Sequence, residues 1–205
     1  MKLFISPGSC SLGPHIALRE AGLPFATVKV DLRAKKTADG GDYRAINPKG
    51  AVPALQLDSG EVLTENAVIL QYLGDRASWP EVLPPIGDFR RYRVLELVNF
   101  ITTELHKRFS FLFSNAGDET KNFVKDQLTQ KLDYIDARLG AGPFLMGEEL
   151  TLPDAYLFVI TRWADQMIGL DRWTNLRAFY QRMLQRDSVR SVLRFEGLLE
   201  EERAD

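Results

Sequence analysis

The sequence predicts a chain of two domains, a small α/β domain followed by an all-helical one. Strand and helix signals alternate over residues 1–79, whereas strand signals are absent from residue 88 onward. Between these parts, residues 80–87 contain three prolines and a glycine, a composition that excludes regular helix. We therefore assign residues 1–79 to the first domain, 80–87 to a linker and 88–205 to the second domain.

The first domain has the predicted order β-α-β followed by β-β-α. The apolar run 2–5 indicates a short buried strand, and period-two alternation over 27–31 indicates a second one. A helical pattern that stops at Gly22 separates them, which favours a parallel crossover. Residues 54–57 and 61–63 flank an Asp-Ser-Gly turn and form a hairpin, and residues 64–76 form a helix.

Helical periodicity dominates the second domain. Its predicted helices are 88–113, 120–139, 153–168, 175–186 and 189–194. The helix near Pro153 opens with Thr151-Leu152-Pro153-Asp154, a capping-box variant in which aspartate replaces the usual glutamate or glutamine.

Composition excludes several classes of function. The chain has 26 basic and 28 acidic residues, a net charge of −2, which offers no bulk attraction for nucleic acid or anionic membranes. One cysteine and two histidines form no metal-binding motif, so we expect no metal. No apolar stretch reaches 18 residues, and the N-terminal apolar run is too short for a signal peptide. We expect a cytoplasmic protein with no membrane or nucleic-acid partner.

Cys10 is the strongest candidate for chemistry. It follows the first strand near the start of the first helix, where unpaired N–H groups and the helix dipole stabilise a thiolate. A helix terminus supplies ~0.3–1 kcal/mol, whereas lowering a thiol pKa by ~2 units requires ~2.7 kcal/mol, so a second donor or cation is needed. We predict a lowered pKa for Cys10; the alternative is a buried cysteine that only packs.

Two further segments are candidate binding elements. A cis peptide bond at Val52-Pro53, just before the third strand, would leave a backbone edge open to a ligand, and an ordinary trans proline is the alternative. At Thr64-Glu65-Asn66, helix N-terminal amides and polar side chains would bind a carboxylate, and simple N-capping is the alternative.

A polar row lies on the long helix 88–113. Asn99, Thr103 and His106 have the spacing i, i+4, i+7, which places them on one helical face. Taken alone, such a row is more often a solvated stripe than a binding surface.

Five segments in this order carry a family resemblance: SPGSCSLGPHIALREAGLPF, NPKGAVPALQLDSGEVLTENAVILQYL, the proline-rich break, NFITTELHK and FLMGEELTLPDAYLF. The chain resembles the glutathione S-transferases, most closely the bacterial beta class with its N-terminal-domain cysteine. The resemblance covers nearly the whole chain. It implies a thioredoxin-like α/β domain with an all-α domain behind it, usually in a homodimer.

The resemblance also assigns roles to particular residues. Cys10 would face the sulfur of glutathione, and Val52 before cis-Pro53 would pair with the backbone of the peptide. Its γ-glutamyl end would meet Glu65 and Asn66, where the family commonly has serine at the second position, and its glycyl carboxylate would meet Lys35. The helical domain would contribute Asn99, Thr103, Glu104, Leu105, His106 and Lys107, some of them across the dimer interface.

The implied function is a detoxifying glutathione transferase that acts on electrophilic, disulfide or peroxide small molecules. Glutathione is the co-substrate, no other cofactor is expected, and Cys10 and His106 are the expected catalytic residues. We expect His106 to act as a general base and Cys10 to form a mixed disulfide with glutathione.

Candidates to line an apolar second-substrate pocket are Phe109, Phe113, Trp163 and Met167. The alternative is a non-catalytic glutathione-binding or regulatory protein of the same fold; a dithiol oxidoreductase is disfavoured because no resolving cysteine exists.

Overall fold

The computed structural model describes residues 1–77, 79 and 81–199. The chain divides into two compact units. One is built from the described residues up to 77 together with the segment that begins at Gln185, and the other spans Trp79–Leu184. Within the described ranges, no helix combines the length and the apolar character that a membrane span requires.

The first unit is built on a mixed five-stranded sheet in the order β3-β2-β1-β4-β5. β1 pairs in parallel with β2, and the other neighbouring strands are antiparallel. The predicted crossover and hairpin are therefore confirmed, whereas the two-residue β3 was not predicted. The elements are β1 (Lys2–Ile5), α1 (Leu12–Glu20), β2 (Ala26–Asp31), β3 (Lys36–Thr37), β4 (Ala54–Gln56), β5 (Val62–Thr64) and α2 (Asn66–Ala77).

The second unit contains helices and no named strand among its described residues. They are α3 (Phe89–Phe100), α4 (Lys107–Phe113), α5 (Asp118–Leu139), α6 (Leu152–Met167) and α7 (Thr174–Leu184). Their core comes from apolar stripes, and α6 is the most buried of them, with Leu157, Phe158, Val159 and Ile160 all inaccessible to solvent. Three of the four helices predicted for this range exist with ends shifted by one or two residues, whereas the predicted helix 88–113 is divided into α3 and α4.

A π-helical turn over Ile101–His106 joins α3 to α4. The sequence predicted one regular helix here. Two neighbouring threonines lie in this turn: the Thr102 hydroxyl donates to the Val98 carbonyl at 2.8 Å and the Thr103 hydroxyl to the Asn99 carbonyl at 3.1 Å. Such bonds compete with the backbone ladder and often bend helices, which gives a local cause for the irregularity. π turns of this kind are frequent at functional sites.

The capping box of α6 is confirmed and is anchored by one buried carboxylate. Asp154 accepts from the Thr151 backbone N–H and hydroxyl at 2.8 and 2.7 Å. Its other oxygen accepts from the Leu145 N–H at 2.8 Å. Burial raises the pKa of Asp154 to about 6, so the group is ionised at neutral pH and accepts all three bonds.

The last described helix, α8 (Asp187–Glu196), belongs to the first unit. This differs from the predicted division, which placed the whole range 88–205 in the second domain. An ion pair and a hydrogen bond join the α8 segment to α1: Arg186 pairs with Glu20 at 2.6 and 2.8 Å, and His15 Nδ1 bonds to Glu196 Oε1 at 2.8 Å. Helical periodicity alone cannot tell which unit a terminal helix packs on, because these partners lie more than 160 residues apart in the chain.

Candidate active site

The loop before α1 places Cys10 at the helix start. Ser9 and Ser11 share a hydroxyl–hydroxyl hydrogen bond of 2.9 Å, and the Ser11 hydroxyl donates to the Ser6 carbonyl at 3.3 Å. The Cys10 carbonyl accepts from the Gly13 N–H at 3.3 Å. The serine-rich sequence around the cysteine therefore closes the turn with its own hydroxyl groups.

The thiol of Cys10 is held in its protonated form. Its Sγ donates to the Val52 carbonyl oxygen at 3.2 Å, an acceptor that favours S–H over a thiolate. Burial raises the pKa of Cys10 to about 11, while a hydrogen bond from the Asn66 side chain lowers it and the Glu65 charge adds a smaller increase. The prediction of a lowered pKa is wrong for this structure, because desolvation outweighs the nearby N–H groups.

The bond between Val52 and Pro53 is cis, as predicted. Two side chains fix Ala51, the residue that precedes Val52. The Tyr43 hydroxyl and the Asn47 amide both donate to the Ala51 carbonyl oxygen, at 2.8 and 2.7 Å. The Tyr43 ring is fully buried in a core cluster that includes Val52. The backbone beside the Cys10 thiol is therefore anchored to the core of the first unit.

Glu65 and Lys35 adopt backbone conformations that non-glycine residues rarely take. Their φ angles are +74° and +55°. Strain of this kind clusters at ligand-binding positions, where the surrounding structure holds it. Glu65 is held from its side chain, since Lys49 Nζ lies 2.5 Å from its Oε1 and donates to the Thr64 hydroxyl at 2.9 Å. Lys35 Nζ donates to the Gly50 carbonyl at 2.8 Å.

Asn66 joins the start of α2 to the start of α1. Its Nδ2 donates to the Cys10 carbonyl at 2.6 Å, across 56 residues of chain. Its Oδ1 is buried and has no hydrogen-bond partner among the described residues. A buried acceptor without a donor carries a desolvation cost, which a ligand N–H or ammonium group placed there would offset.

The first unit therefore brings together four of the predicted site residues, Cys10, Val52, Pro53 and Asn66, with Glu65 next in sequence. Sequence reasoning missed Lys49, Tyr43 and Asn47, which hold this group in place. Asn47 and Lys49 lie within the segment NPKGAVPAL, a few residues before Val52. This closeness in sequence was the one indication that they support the site.

In the second unit, His106 ends the π turn in an aromatic environment. Its Nδ1 lies 2.5 Å from the Tyr156 hydroxyl, and its ring centroid lies 5.2 Å from that of Trp163. Burial, with the positive charge of Lys107, lowers the pKa of His106 to about 4, so the imidazole is neutral at pH 7. The sequence did not predict that Tyr156 contacts His106, because Tyr156 lies in a continuous apolar run of α6 that has the pattern of core residues.

The other predicted residues of the helical unit differ in how accessible their side chains are. Asn99, Thr103 and Lys107 are exposed, whereas Leu105 is fully buried and leaves only its backbone for a ligand. The Glu104 carboxylate is paired with Lys131 and Arg108 at 3.1 and 3.2 Å.

Three of the four candidates for the second-substrate pocket form an aromatic cluster that includes His106. Phe109 and Phe113 contact Trp163, with ring centroids 5.6 and 5.1 Å from it. Phe113 is 53% exposed, whereas Phe109 and Trp163 are buried and Met167 is half-buried. Phe113 is therefore the aromatic side chain of this cluster that presents its ring to solvent.

A mixed sheet with a thiol at the start of its first helix and a cis-proline opposite that thiol defines a thioredoxin-like domain. Comparison with known proteins specifies the family. The model for the glutathione S-transferase N-terminal domain matches residues 8–76, and the model for the glutathione S-transferase C-terminal domain matches residues 88–182. The chain belongs to the glutathione S-transferases, and it is an enzyme of that class.

Relatives match along their full length. The glutathione S-transferase GstA of Escherichia coli O157:H7 is 45% identical over 200 residues, which cover 97% of this chain and 100% of the relative. The bacterial transferase BphK, solved as a ternary complex, is 49% identical with a TM-score of 0.93, over 97% of this chain and 100% of that one. A sphingomonad glutathione S-transferase complexed with glutathione is 42% identical with a TM-score of 0.92, at the same coverage.

Proposed function

We propose that this transferase binds glutathione beside Cys10, Val52 and Asn66 and conjugates it to small hydrophobic electrophiles. The observation that carries the proposal is the convergence of these three residues, since Cys10 bonds to both of the others across 42 and 56 residues of chain. Extended peptides bind through main-chain hydrogen bonds, and the anchored backbone at Val52 supplies an edge for them.

Charges in the first unit fit the two ends of glutathione. Glu65 is acidic and directly precedes Asn66, whose Oδ1 is a buried acceptor without a partner, and the two residues together suit the α-ammonium group of the γ-glutamyl end. Lys35 supplies a cation for the glycyl carboxylate once its ammonium exchanges the Gly50 carbonyl for the ligand. From the helical unit, the residues that we propose to contact glutathione are Asn99, Thr103, Glu104, His106 and Lys107, with the backbone of Leu105.

Cys10 acts mainly as a hydrogen-bond donor toward the sulfur of glutathione, once its S–H exchanges the Val52 carbonyl for the ligand. A thiol with a pKa of about 11 is a donor and not a nucleophile at pH 7. A slower covalent reaction remains open to it. The Cys10 thiolate attacks oxidised glutathione, forming a Cys10–glutathione disulfide and releasing one glutathione thiolate. Its rate is set by the small thiolate fraction.

The functional unit is proposed to be a homodimer. The apolar α3 residues Val94 and Leu97 are 0% and 2% exposed, so they serve the core of the helical unit and are not available for an interface. A different apolar group supports the proposal: Ile86, Phe89 and Tyr92 are 85%, 66% and 54% exposed near the start of α3. Large side chains grouped in this way are typical of an interface between subunits. The proposed setting is detoxification in the cytoplasm.

A matched pair of variants tests the glutathione site. Glu65→Gln removes the charge proposed to meet the ammonium group, and Glu61→Gln makes the same change in the exposed turn before β5. A charge-assisted hydrogen bond contributes ~1.5–3 kcal/mol, so Glu65→Gln raises the KM for glutathione by ~10- to 100-fold in conjugation of a chloro-dinitrobenzene. Glu61→Gln leaves it unchanged. Equal KM values for all three proteins contradict the proposed site, and a wild-type protein that binds a glutathione column without turnover supports the non-catalytic alternative.

A further inference from the structure

The side chain of Tyr156 is positioned to control the chemistry of His106. Tyr156 lies on α6 and is inaccessible to solvent. Its hydroxyl is 2.5 Å from His106 Nδ1, and the two rings meet edge to face with centroids 5.8 Å apart. Trp163, on the same helix, packs against the His106 ring as well. The imidazole is therefore fixed by both packing and a hydrogen bond.

Acid–base strength decides which partner donates. A phenol is a better donor than the N–H of a neutral imidazole, and an imidazole nitrogen is a better acceptor than a phenol oxygen. Burial keeps the imidazole of His106 neutral, since its pKa is lowered to about 4. The tyrosine O–H therefore donates to Nδ1. A neutral imidazole carries one N–H, so its proton lies on Nε2.

We propose that Tyr156 is a positioning residue that holds His106 in the Nε2–H tautomer, so that His106 donates a hydrogen bond to the sulfur of glutathione and does not accept its proton. This inference rests on the proposed function for the identity of the acceptor. No proton moves in the step: the Nε2–H stabilises a thiolate whose proton has already passed to solvent. A preorganised donor of this kind is an electrostatic catalyst, and its orientation depends on the group that binds the other ring nitrogen.

The chain contains an internal reference for the tautomer. Its only other histidine, His15, has Nδ1 at 2.8 Å from a Glu196 carboxylate oxygen, with both side chains fully buried. A carboxylate oxygen can only accept there, so Nδ1 of His15 is protonated. The two histidines therefore differ in the protonation of Nδ1. In His106 this nitrogen faces the Tyr156 hydroxyl donor and carries no proton, whereas in His15 it faces the Glu196 acceptor and carries one.

Nitrogen-15 NMR of the imidazole rings reads this difference directly. In the wild-type protein at pH 7, long-range proton–nitrogen spectra should show an unprotonated Nδ1 and a protonated Nε2 for His106, and a protonated Nδ1 for His15. The spectrum of His106→Gln assigns the two rings by loss of one set of signals. A protonated Nδ1 on His106 overturns the proposal. This readout needs no substrate, so it stands or fails independently of the proposed function.

The variant Tyr156→Phe removes the hydroxyl and keeps the ring. Loss of the donor should make the Nδ1–H tautomer of His106 visible and lower kcat by ~10- to 100-fold, with the KM for glutathione changed much less. Tyr180→Phe, which removes another phenol hydroxyl from the same unit, should change neither the tautomer nor kcat. Unchanged His106 signals in Tyr156→Phe, or the same fall in kcat in both variants, overturn the proposal.

Discussion

The Cys10 thiol donates a hydrogen bond of 3.2 Å to the carbonyl oxygen of Val52. The acceptor is the residue that precedes the cis-proline, on a segment anchored to the core by Tyr43 and Asn47. A rigid carbonyl dipole aimed at sulfur stabilises S–H and opposes S⁻. This contact and the burial of the thiol explain why a cysteine at a helix start is not an activated nucleophile in this protein.

The first prediction concerns the pH dependence of Cys10 reactivity. Burial raises the pKa of the thiol to about 11, so the thiolate fraction at pH 7 is ~10⁻⁴ and rises tenfold per pH unit. Alkylation by iodoacetamide should therefore increase log-linearly from pH 7 to pH 10 without reaching a plateau. Mass spectrometry follows the single adduct, and Cys10→Ala should form none. A plateau below pH 8 would mean that the thiol is activated after all.

The second prediction assigns part of that thiol's behaviour to Asn66. Its side chain lowers the pKa of Cys10 against the larger effect of burial. Asn66→Ala should shift the alkylation profile to higher pH, whereas Asn66→Ser keeps a short donor and should shift it less. Asn47→Ala, which removes an amide that does not bond to Cys10, is the control for general loosening of the loop. Identical profiles for Asn66→Ala and wild type contradict the assignment.

The third prediction concerns the capping carboxylate of α6. Asp154→Ala leaves three buried donors without their acceptor, at a cost of ~1–3 kcal/mol each, so we expect a loss of ~3 kcal/mol or more in the free energy of unfolding. Asp154→Asn keeps the shape and should cost less. Urea denaturation measures both. A loss below ~1 kcal/mol for the alanine variant would show that the network contributes little.

The fourth prediction is a pH effect on stability that involves His106. Its pKa falls from 6.5 to about 4 on folding, so between these values the unfolded state binds a proton that the folded state does not. The free energy of unfolding should therefore fall as pH decreases from 7 to 5, and part of that fall should be absent from His106→Gln. Denaturation of both proteins at the two pH values gives the difference. Parallel losses in wild type and variant would exclude the effect.

The fifth prediction concerns assembly. Sedimentation of the wild-type protein at micromolar concentration should give twice the 23.2 kDa mass of the chain. Phe89→Ser, at a side chain that is 66% exposed, should shift the protein toward the monomer, whereas Phe123→Ser, at a side chain that is 64% exposed on α5, should not. A wild-type monomer rejects the dimer, and equal behaviour of the two variants rejects this interface.

Much of the fold follows from local patterns. The bounds of β1 agree with the apolar run, and the Thr151–Asp154 signal marks the true start of α6, because both depend on residues close together in the chain. What local patterns missed depends on distant partners or on backbone irregularity. β3 is a two-residue strand fixed by pairing with β2, and α8 packs on α1 through residues more than 160 positions away.

The site shows the same division. The position of Cys10 was predictable from a short motif, whereas the cis bond at Pro53 was predicted from the family resemblance and from the need for an open backbone edge, since an X-Pro pair alone favours trans. The raised pKa of the Cys10 thiol was not predictable, because its polar neighbours in sequence do not indicate how deeply the sulfur is buried in the fold. The contact of Tyr156 with His106 was equally hidden, since a tyrosine in an apolar helix has the pattern of a core residue.

One measurement tests most directly whether this protein activates glutathione. Because Cys10 is the only cysteine, the variant Cys10→Ala contains no thiol, and the ultraviolet thiolate absorbance of its complex with glutathione reports the bound tripeptide alone. Titration of that complex should show the glutathione thiol ionising at a lower pH than in free glutathione. The shift should shrink when His106→Ala is added, because the Nε2–H donor is then lost. A titration curve that coincides with that of free glutathione would contradict the account.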